Sequence, residues 1–412
     1  MNRGIILSMA LLVATYACQS QTAPQESPPE ESATEQPIRP AAYQTEAYLP
    51  LLAGKAVAMV VNHTSLIGQT HLVDSLLARG VNVRQIFAPE HGFRGEAGAG
   101  DLIGNSTDST TGLPIVSLYG KNKKPTPEQL EGIDLVIFDI QDVGARFYTY
   151  ISTMHYVMEA CAEQNKAMLV LDRPNPNGFY IGGPVRQPGV ESFVGMHPIP
   201  VVHGLTVGEL AGMINGEGWL ADSAQAALTV IPVANYSHRD RYSLPVRPSP
   251  NLPNDQAVNL YAALCLLEGT VVTLGRGTDF PFQVYGHPNL AFAEPGSATD
   301  TFTFMPRAIP GVVTKPKHEG QRCYGADLRQ VEPLERFTLK YVLRAHEQAR
   351  AGGISDEDFF LTATFRILAG NETLQQQIAA GKSEEEIQQS WEPDLEDYRT
   401  MRRQYLLYED FE

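Results

Sequence analysis

The sequence predicts an α/β fold in which a Rossmann-like amino-terminal domain with a parallel sheet precedes a smaller α/β carboxyl-terminal domain. Continuous apolar runs alternate with amphipathic helical patterns through the first half of the chain, as expected for a parallel sheet covered on both faces. Polar and acidic residues directly follow several of these runs. The 412 residues, of which 43% are hydrophobic, are enough to bury two cores.

Four apolar runs are predicted to be strands of the parallel sheet, at residues 56–64, 83–92, 135–144 and 167–176. Helical patterns follow the first and third runs, in QTHLVDSLLARG and YTYISTMHYVMEACAEQN. A short strand is expected in HPIPVVHG, before a helix capped by Thr206, and ALTVIPVANY is expected to be a further strand. Glu209, three residues after Thr206, completes a capping box and is therefore assigned a structural role.

The second half of the chain begins after a proline-punctuated connection at residues 242–255. A helical pattern ends at Glu268, and a short β-rich run then leads into GRGTDFPF, whose glycines allow Arg276 and Asp279 to approach a ligand closely. Amphipathic helices are predicted in the remainder, including LERFTLKYVLRAHEQA. These patterns place a Rossmann-like catalytic domain at residues 46–252 and a carboxyl-terminal domain at 253–412.

The amino terminus has the pattern of an export signal. Arg3 precedes the apolar run GIILSMALLVATYA, which is short for a membrane span and ends in small residues before Cys18. Residues 1–17 resemble a bacterial lipoprotein signal, which implies acylation of Cys18 and a periplasm-facing protein anchored to a membrane; ordinary secretion is the alternative. Residues 18–45, rich in Pro, Glu, Ser and Gln, are predicted to be a disordered tether.

Composition limits the partners. The net charge of -16 leaves no basic surplus to bind a phosphate backbone, so nucleic acid is excluded as a partner. Cys161, Cys265 and Cys323 have no spacing typical of a metal site or a disulfide framework and are predicted to be buried thiols, with Cys323 in a loop. We expect neither a metal nor another cofactor, and the sequence does not specify an oligomeric state.

Polar residues at the ends of the predicted strands indicate where a site would lie. Ligands of open α/β sheets bind outside the carboxyl ends of the strands, so these residues point to one edge. They are His63, Glu90, Asp139, Asp142 and Asp172.

Most of these residues also have a structural explanation. Asp142 and Asp172 are equally consistent with capping the next helix, and Asp139 with pairing to a buried arginine. His63, like His203 farther along, is consistent with a hydrogen bond inside a loop.

Glu90 is harder to explain structurally. Pro89 restricts the backbone before Glu90, and Gly92 permits a tight turn after it. Such a turn presents the carboxylate rigidly, which is what acid catalysis requires.

Six blocks of sequence carry a family resemblance. APEHGFRGE, FDIQDVGARFYTY, LDRPNP, VHGLTVGELA, SPNLP and LEGTVVTLGRGTDFPF follow one another from about residue 50 to about residue 290. Together they resemble the NamZ/YbbC-like exo-β-N-acetylmuramidases, glycoside hydrolase family 171. The resemblance implies release of terminal N-acetylmuramic acid (MurNAc) from the non-reducing end of peptidoglycan fragments such as MurNAc-GlcNAc oligosaccharides. It also implies an active-site cleft between the two domains.

The residues agree with that chemistry. Glycoside hydrolysis needs a proton donor and usually a second carboxylate. Glu90, beside two phenylalanines, is predicted to be the general acid, because partial desolvation would keep it protonated. Glu268 is the preferred second carboxylate, and the alternatives are Asp139 and Asp142. The substrate's N-acetyl group acting as nucleophile also stays open.

Binding the lactyl carboxylate of MurNAc requires a cation in this acidic protein. The candidates are Arg94, Arg146, Arg173 and Arg276, because a guanidinium can grip a carboxylate through two bonds. Arg94 and Arg276 are preferred. The predicted substrate-binding set is completed by His63, His91, Asp172, His203 and Asp279.

Two other classes of function remain alternatives. A metal-dependent envelope hydrolase would ligate its metal through His63, His91, Asp139, Asp172 and His203. A non-catalytic lipoprotein would capture envelope sugars in the cleft between the domains.

Overall fold

The computed structural model describes residues 1, 36–94, 104–289 and 302–412, and residues Ile38–Glu412 form one compact unit. Cys18 and most of the predicted signal and tether lie outside the described residues. The ordered fold begins within the range predicted as tether, since Ala41 and Ala42 are buried and the Ala41 amide donates to the Asp172 carbonyl at 3.0 Å. No helix of the described ranges has the length and apolar character that crossing a bilayer requires.

The first half of the chain is built around a parallel sheet. Its strands are β1 (Ala56–Val61), β2 (Leu66–Ile67), β3 (Thr70–His71), β4 (Asn82–Ala88), β5 (Ser106–Thr107), β6 (Pro114–Ser117), β7 (Leu135–Asp139), β8 (Ala167–Leu171) and β9 (Ala227–Ile231). β2 and β3 pair with each other, and the others form one sheet in the order β5-β6-β4-β1-β7-β8-β9, parallel except at β5. Its six parallel strands have the 3-2-1-4-5-6 order of Rossmann folds, which confirms the predicted fold class.

Helices cover this sheet and make up most of the second half. They are α1 (Thr45–Leu52), α2 (Leu72–Ala78), α3 (Tyr150–Glu163), α4 (Val207–Gly216), α5 (Asp255–Leu264), α6 (Lys340–Ala351), α7 (Asp356–Phe359), α8 (Thr362–Ala369), α9 (Thr373–Ala379), α10 (Glu384–Gln389) and α11 (Glu392–Arg402). Short 3₁₀ turns occupy Ala41–Tyr43, Glu128–Leu130, Ala221–Ser223 and Cys265–Gly269. The capping box of α4 is confirmed, with the Thr206 side chain accepting from the Glu209 amide.

The second half also carries a small antiparallel sheet, in the order β10-β12-β11. Its strands are β10 (Val284–His287), β11 (Phe302–Phe304) and β12 (Cys323–Asp327). Cys323 therefore begins a strand, where a loop was predicted. The prediction that Cys161, Cys265 and Cys323 are buried thiols is confirmed.

The two halves share one apolar core. A single buried cluster contains Phe138 of β7, Tyr285 of β10 and Phe365 of α8. The predicted strand in HPIPVVHG is wrong, because Val202 makes only isolated bridges, to Ala145 and Gly182. Because the halves pack directly, side chains from both can line a common cavity.

Candidate active site

A cleft of about 330 Å³ lies beyond the carboxyl ends of β4 and β6. Glu90 enters its wall from the turn after β4, and Glu268 from the 3₁₀ turn after α5. Helix α8 contributes Thr364 and Ile367 on the carboxyl-terminal side. The structure therefore brings both preferred carboxylates to one cavity, from segments far apart in the sequence.

The turn after β4 fixes the position of Glu90. His91 and Gly92 both have left-handed backbone conformations, with φ of 69° and 78°, and the Gly92 amide donates to the Pro89 carbonyl at 3.0 Å. A positive φ is uncommon for a residue with a side chain, and such strain is often found at functional sites. His91 also lines the cleft.

Hydroxyl groups surround Glu90. Thr149 Oγ1 donates to Glu90 Oε2 at 3.1 Å, and the Tyr150 hydroxyl lies 3.5 Å from the Glu90 carbonyl oxygen. Burial and then the neighbouring Glu90 raise the pKa of Tyr119, so this phenol stays protonated in the cleft. Thr149 and Tyr119 both present donors to the Glu90 carboxyl group.

Glu268 has cationic neighbours. Arg276 Nε donates to Glu268 Oε1 at 2.6 Å, and the two side chains are 26% and 24% exposed. Lys317 Nζ donates to the Glu268 carbonyl at 2.8 Å and to the Thr270 carbonyl at 2.7 Å. Burial alone would raise the pKa of Glu268, but the charges of Arg276 and Lys317 outweigh it and hold the pKa below its ordinary value.

The alternative second carboxylates serve as internal anchors. Asp139 Oδ1 and Oδ2 accept from Arg173 Nε and Nη2 at 2.6 and 2.9 Å, and both side chains are buried. Asp142 Oδ2 accepts from the Gly144 amide at 2.6 Å and lies 3.7 Å from His203 Nε2. Neither aspartate lines the cleft. The structural alternative for Asp139, a buried arginine partner, is the one observed.

Asp172 fastens helix α4 to the sheet. It accepts from Thr206 Oγ1 and from the Gly208 amide, both at 2.7 Å, and from the Tyr408 hydroxyl. Burial raises the pKa of Asp172 to about 6. Its predicted contact with substrate is therefore replaced by a capping role in the interior.

Of the four predicted arginines, all in the described part, Arg276 is the one that lines the cleft. Arg94 forms a two-bond pair with Asp108 at 3.0 Å for each bond, on the other side of the turn. Arg146 is fully buried and donates to four backbone carbonyls, those of Pro184, Ile199, Leu368 and Ala369. Arg173 is occupied by Asp139.

Three further predicted binding residues lie outside the cleft lining: His63, His203 and Asp279. His63 Nε2 lies 2.9 Å from the Arg247 carbonyl, the loop hydrogen bond that was its structural alternative. His203 Nδ1 accepts from the Leu205 amide at 3.2 Å. Asp279 is exposed and pairs with Arg307.

The proposed metal ligands do not converge. Among the described residues no three His, Cys, Asp or Glu side chains form a group that could hold a metal ion. His63, His91, Asp139, Asp172 and His203 are all described, so the set required by the metal-hydrolase alternative is dispersed.

Several cleft residues were not predicted from the sequence. Tyr119 follows β6, whose four residues PIVS are too few to form a distinct apolar run. Asn251 lies in SPNLP, a block that was noted but given no role; it lines the cleft, and its buried Oδ1 has no hydrogen-bond partner in the described part. No local sequence pattern marks Thr364 and Ile367 as cleft residues, because α8 reaches the cleft only through tertiary packing.

Two carboxylates that line one small cleft, one beside hydroxyl groups and one beside cations, are the arrangement expected of a glycoside hydrolase. Residues 57–256 match the family described as exo-β-N-acetylmuramidase NamZ, N-terminal, and residues 259–408 match its C-terminal counterpart. The chain belongs to the exo-β-N-acetylmuramidase NamZ family, as the sequence resemblance predicted.

Relatives agree over nearly the whole chain. The peptidoglycan β-N-acetylmuramidase NamZ of Bacillus subtilis is 40% identical over 376 residues, which cover 88% of this chain and 89% of that protein. A crystal structure of a DUF1343 family protein from Bacteroides fragilis is 44% identical, with a TM-score of 0.82, covering 91% of this chain and all of that one. A second DUF1343 family protein from Bacteroides fragilis is 29% identical, with a TM-score of 0.77 and coverage of 90% and 99%.

Proposed function

We propose that the protein releases terminal MurNAc from the non-reducing end of peptidoglycan fragments, with Glu90 as general acid and Glu268 as the second carboxylate. The observation that carries this assignment is the convergence of the two glutamates on one cleft. Glu90 protonates the glycosidic oxygen as the bond breaks. Glu268 is kept ionised by Arg276 and Lys317, so it stabilises the positive charge that develops at the anomeric carbon.

Arg276 is assigned to the lactyl carboxylate of MurNAc. Its Nε is engaged by Glu268, and a guanidinium has further donors at its terminal nitrogens. The guanidinium also lies 4.8 Å from the centroid of the Phe282 ring, which helps to fix its plane. One arginine thus orients the second carboxylate and supplies the cation that the substrate requires.

The walls of the cleft support action on chain ends. Helix α8 forms part of the carboxyl-terminal wall, and Arg146 holds the last turn of α8 through the carbonyls of Leu368 and Ala369, at 2.9 and 2.8 Å. A cavity of about 330 Å³ between fixed walls suits one terminal sugar better than the middle of a long strand.

The test measures MurNAc released from a MurNAc-GlcNAc disaccharide by protein beginning at residue 36, which retains the whole compact unit. Glu90→Gln and Glu268→Gln are each expected to reduce kcat by about 10²-fold or more, the usual range for a lost acid or base. Asp139→Asn is unsuitable as a control because it breaks a buried ion pair. Glu131→Gln, which changes an exposed carboxylate outside the cleft, is the matched control and keeps wild-type turnover.

Wild-type turnover in Glu90→Gln, with an unchanged thermal midpoint, would remove Glu90 from the mechanism. Sugar binding by the wild type without any release of MurNAc would instead favour the sugar-capturing alternative.

We further infer that the protein is exported and anchored through a lipid on Cys18, facing the periplasm. Support comes from Arg3, the apolar run after it and the small residues before Cys18. The polar segment that follows would let the folded unit reach substrate at a distance from the membrane. Cells fed labelled palmitate should label the wild type but not Cys18→Ser; equal labelling would exclude this anchor.

A further inference from the structure

A second cavity, of about 470 Å³, adjoins the cleft. We name it the aromatic groove and define it by Lys123, Tyr156, Phe193, His197 and Trp219. Phe193 lines both the groove and the cleft, so the two cavities adjoin at this side chain. A substrate that projects from the cleft past Phe193 would reach the groove.

Helix α3 contributes residues to both the cleft and the groove. Tyr150, the first residue of α3, lines the cleft, and Tyr156 of the same helix lines the groove. Six residues of α-helix correspond to a rise of about 9 Å. The groove therefore lies farther along α3 than the part of the helix that is beside Glu90.

The groove offers aromatic faces for sugar rings. The rings of Tyr156 and Phe193 are 13° from parallel, with centroids 6.3 Å apart. Tyr156, Phe193 and Trp219 are each half-buried, so each keeps part of its ring accessible. Aromatic side chains of this kind supply a large apolar contact at little entropic cost, which suits the C–H faces of pyranose rings.

Lys123 places a positive charge at the groove of a protein with net charge -16. Its Nζ lies 4.4 Å from the centroid of the Phe193 ring. The adjacent Lys124 is paired with Glu159 and Glu163, whereas the described residues place no carboxylate within 4.0 Å of Lys123.

The carboxylate that does line the groove, Glu191, is already bound. It pairs with Arg186 at 2.6 Å and accepts from the Gly189 amide. Lys123 is therefore available for an anion carried by a ligand.

Buried polar atoms lie beneath the groove. His197 is 1% exposed, and its Nδ1 has no hydrogen-bond partner in the described part; the same holds for Nε of the buried Arg186. Buried polar groups are normally satisfied. Both nitrogens are enclosed by the protein, so they are not among the groups that would contact a ligand in the groove.

We propose that the aromatic groove binds the leaving side of a longer fragment, with Lys123 contacting the lactyl carboxylate of the second MurNAc residue. This inference rests on the proposed function and adds a preference for substrates longer than a disaccharide. The shared wall at Phe193 sets the groove next to the cleft, and the charge of Lys123 favours a carboxylate as its partner.

The test compares kcat/KM for MurNAc-GlcNAc with kcat/KM for the peptide-free tetrasaccharide MurNAc-GlcNAc-MurNAc-GlcNAc, which alone carries a second lactyl group. Wild type should prefer the tetrasaccharide. Lys123→Glu should lower the ratio of the two values about five-fold, the upper range for an exposed ion pair, and more so at low salt. Tyr156→Ala should lower it as well.

Lys55→Glu is the matched control, because Lys55 precedes β1 and so lies at the opposite edge of the sheet; it should keep the wild-type ratio. An unchanged ratio in both Lys123→Glu and Tyr156→Ala, with native thermal midpoints, overturns the inference. So does an effect of Lys123→Glu confined to peptide-bearing tetrasaccharide, which would assign the charge to a stem peptide. Failure of the wild type to release MurNAc from either substrate would instead reject the proposed function.

Discussion

At the scale of single residues, Glu90 and Glu268 differ in what surrounds them. Hydroxyl groups of Thr149 and Tyr119 neighbour Glu90, whereas Arg276 and Lys317 neighbour Glu268. Enzymes that need one proton donor and one carboxylate commonly separate the two roles through such neighbours. The charges beside Glu268 thus account for its assignment as the ionised carboxylate.

Removing the charge of Arg276 tests this division. In Arg276→Gln the pKa of Glu268 should rise, because the largest force that lowers it is gone. Glu268 must be ionised to act, so wild-type activity is lost only when the pH falls through its lowered pKa. The acid limb of kcat/KM should therefore move to higher pH in the variant. The measurement is a pH profile on MurNAc-GlcNAc.

Arg276→Lys keeps a cation near Glu268 and is the control, with a smaller displacement of the acid limb. An acid limb at the same pH in wild type and Arg276→Gln would show that Glu268 does not set it.

Sequence patterns identified the cleft residues that sit in unusual backbone contexts. Glu90 lies between a proline and glycines, and Arg276 lies between two glycines. Asp139 and Asp172 were placed at the correct edge of the sheet, but their partners, Arg173 and Tyr408, are tertiary neighbours. Position after a strand predicts the edge that a side chain reaches; whether it faces a cavity depends on packing that the sequence does not reveal.

At the scale of elements, the turn that carries Glu268 depends on a close approach by α8. A Cβ atom at Gly269 would lie 2.5 Å from Phe365 Cα, and the Leu361 amide donates to the Gly269 carbonyl at 2.9 Å. Only a glycine allows these backbones to approach so closely. The spacing sets both the Glu268 turn and the α8 wall of the cleft.

Gly269→Ala should push α8 and the Glu268 turn apart. Overpacking of this kind typically costs about 1–3 kcal/mol of unfolding free energy, and we expect a lower urea midpoint together with a lower kcat. The control is Gly104→Ala, where an added Cβ would meet nothing within 4 Å. Wild-type stability and turnover in Gly269→Ala would show that the close approach is not needed.

Elements with long regular patterns were predicted well from the sequence. The strands β1, β7 and β8 and the helix α3 fall within the predicted runs, and β4 begins one residue before its run. β6 was missed because its four residues are too few to show a strand pattern. Its pairing with β4 in the sheet is a tertiary contact that the local sequence does not reveal. The helix predicted over residues 334–349 begins only at Lys340.

At the scale of the whole molecule, the carboxyl-terminal segment returns to the first half and fixes the cleft. Arg402 donates to the Gly204 carbonyl through Nε at 3.0 Å and Nη2 at 2.8 Å, and Tyr398 donates to the His203 carbonyl at 2.6 Å. Together with Arg146, these buried bonds hold the halves in one arrangement. The sequence therefore predicted candidate site residues in each half of the chain. That the two sets lie in one cleft is known only from the fold.

The position of the cleft within the sheet also belongs to this scale. In this strand order the crevice is expected between β1 and β7, where the chain reverses direction. Here the ends of those strands are filled by internal contacts, including Ser65 Oγ donating to the Asp139 carbonyl. The cleft lies instead beyond β4 and β6, where the second half of the chain closes over Glu90.

The most direct test of the central claim compares two leaving groups in Glu90→Gln. A chromogenic aryl MurNAc glycoside has a leaving group that needs little protonation, whereas MurNAc-GlcNAc needs a proton donor. If Glu90 is the acid, Glu90→Gln should lose about 10²-fold or more in kcat/KM on the disaccharide but much less on the aryl glycoside. Glu268→Gln should lose similarly on both substrates. Equal losses on both substrates in Glu90→Gln would contradict the account.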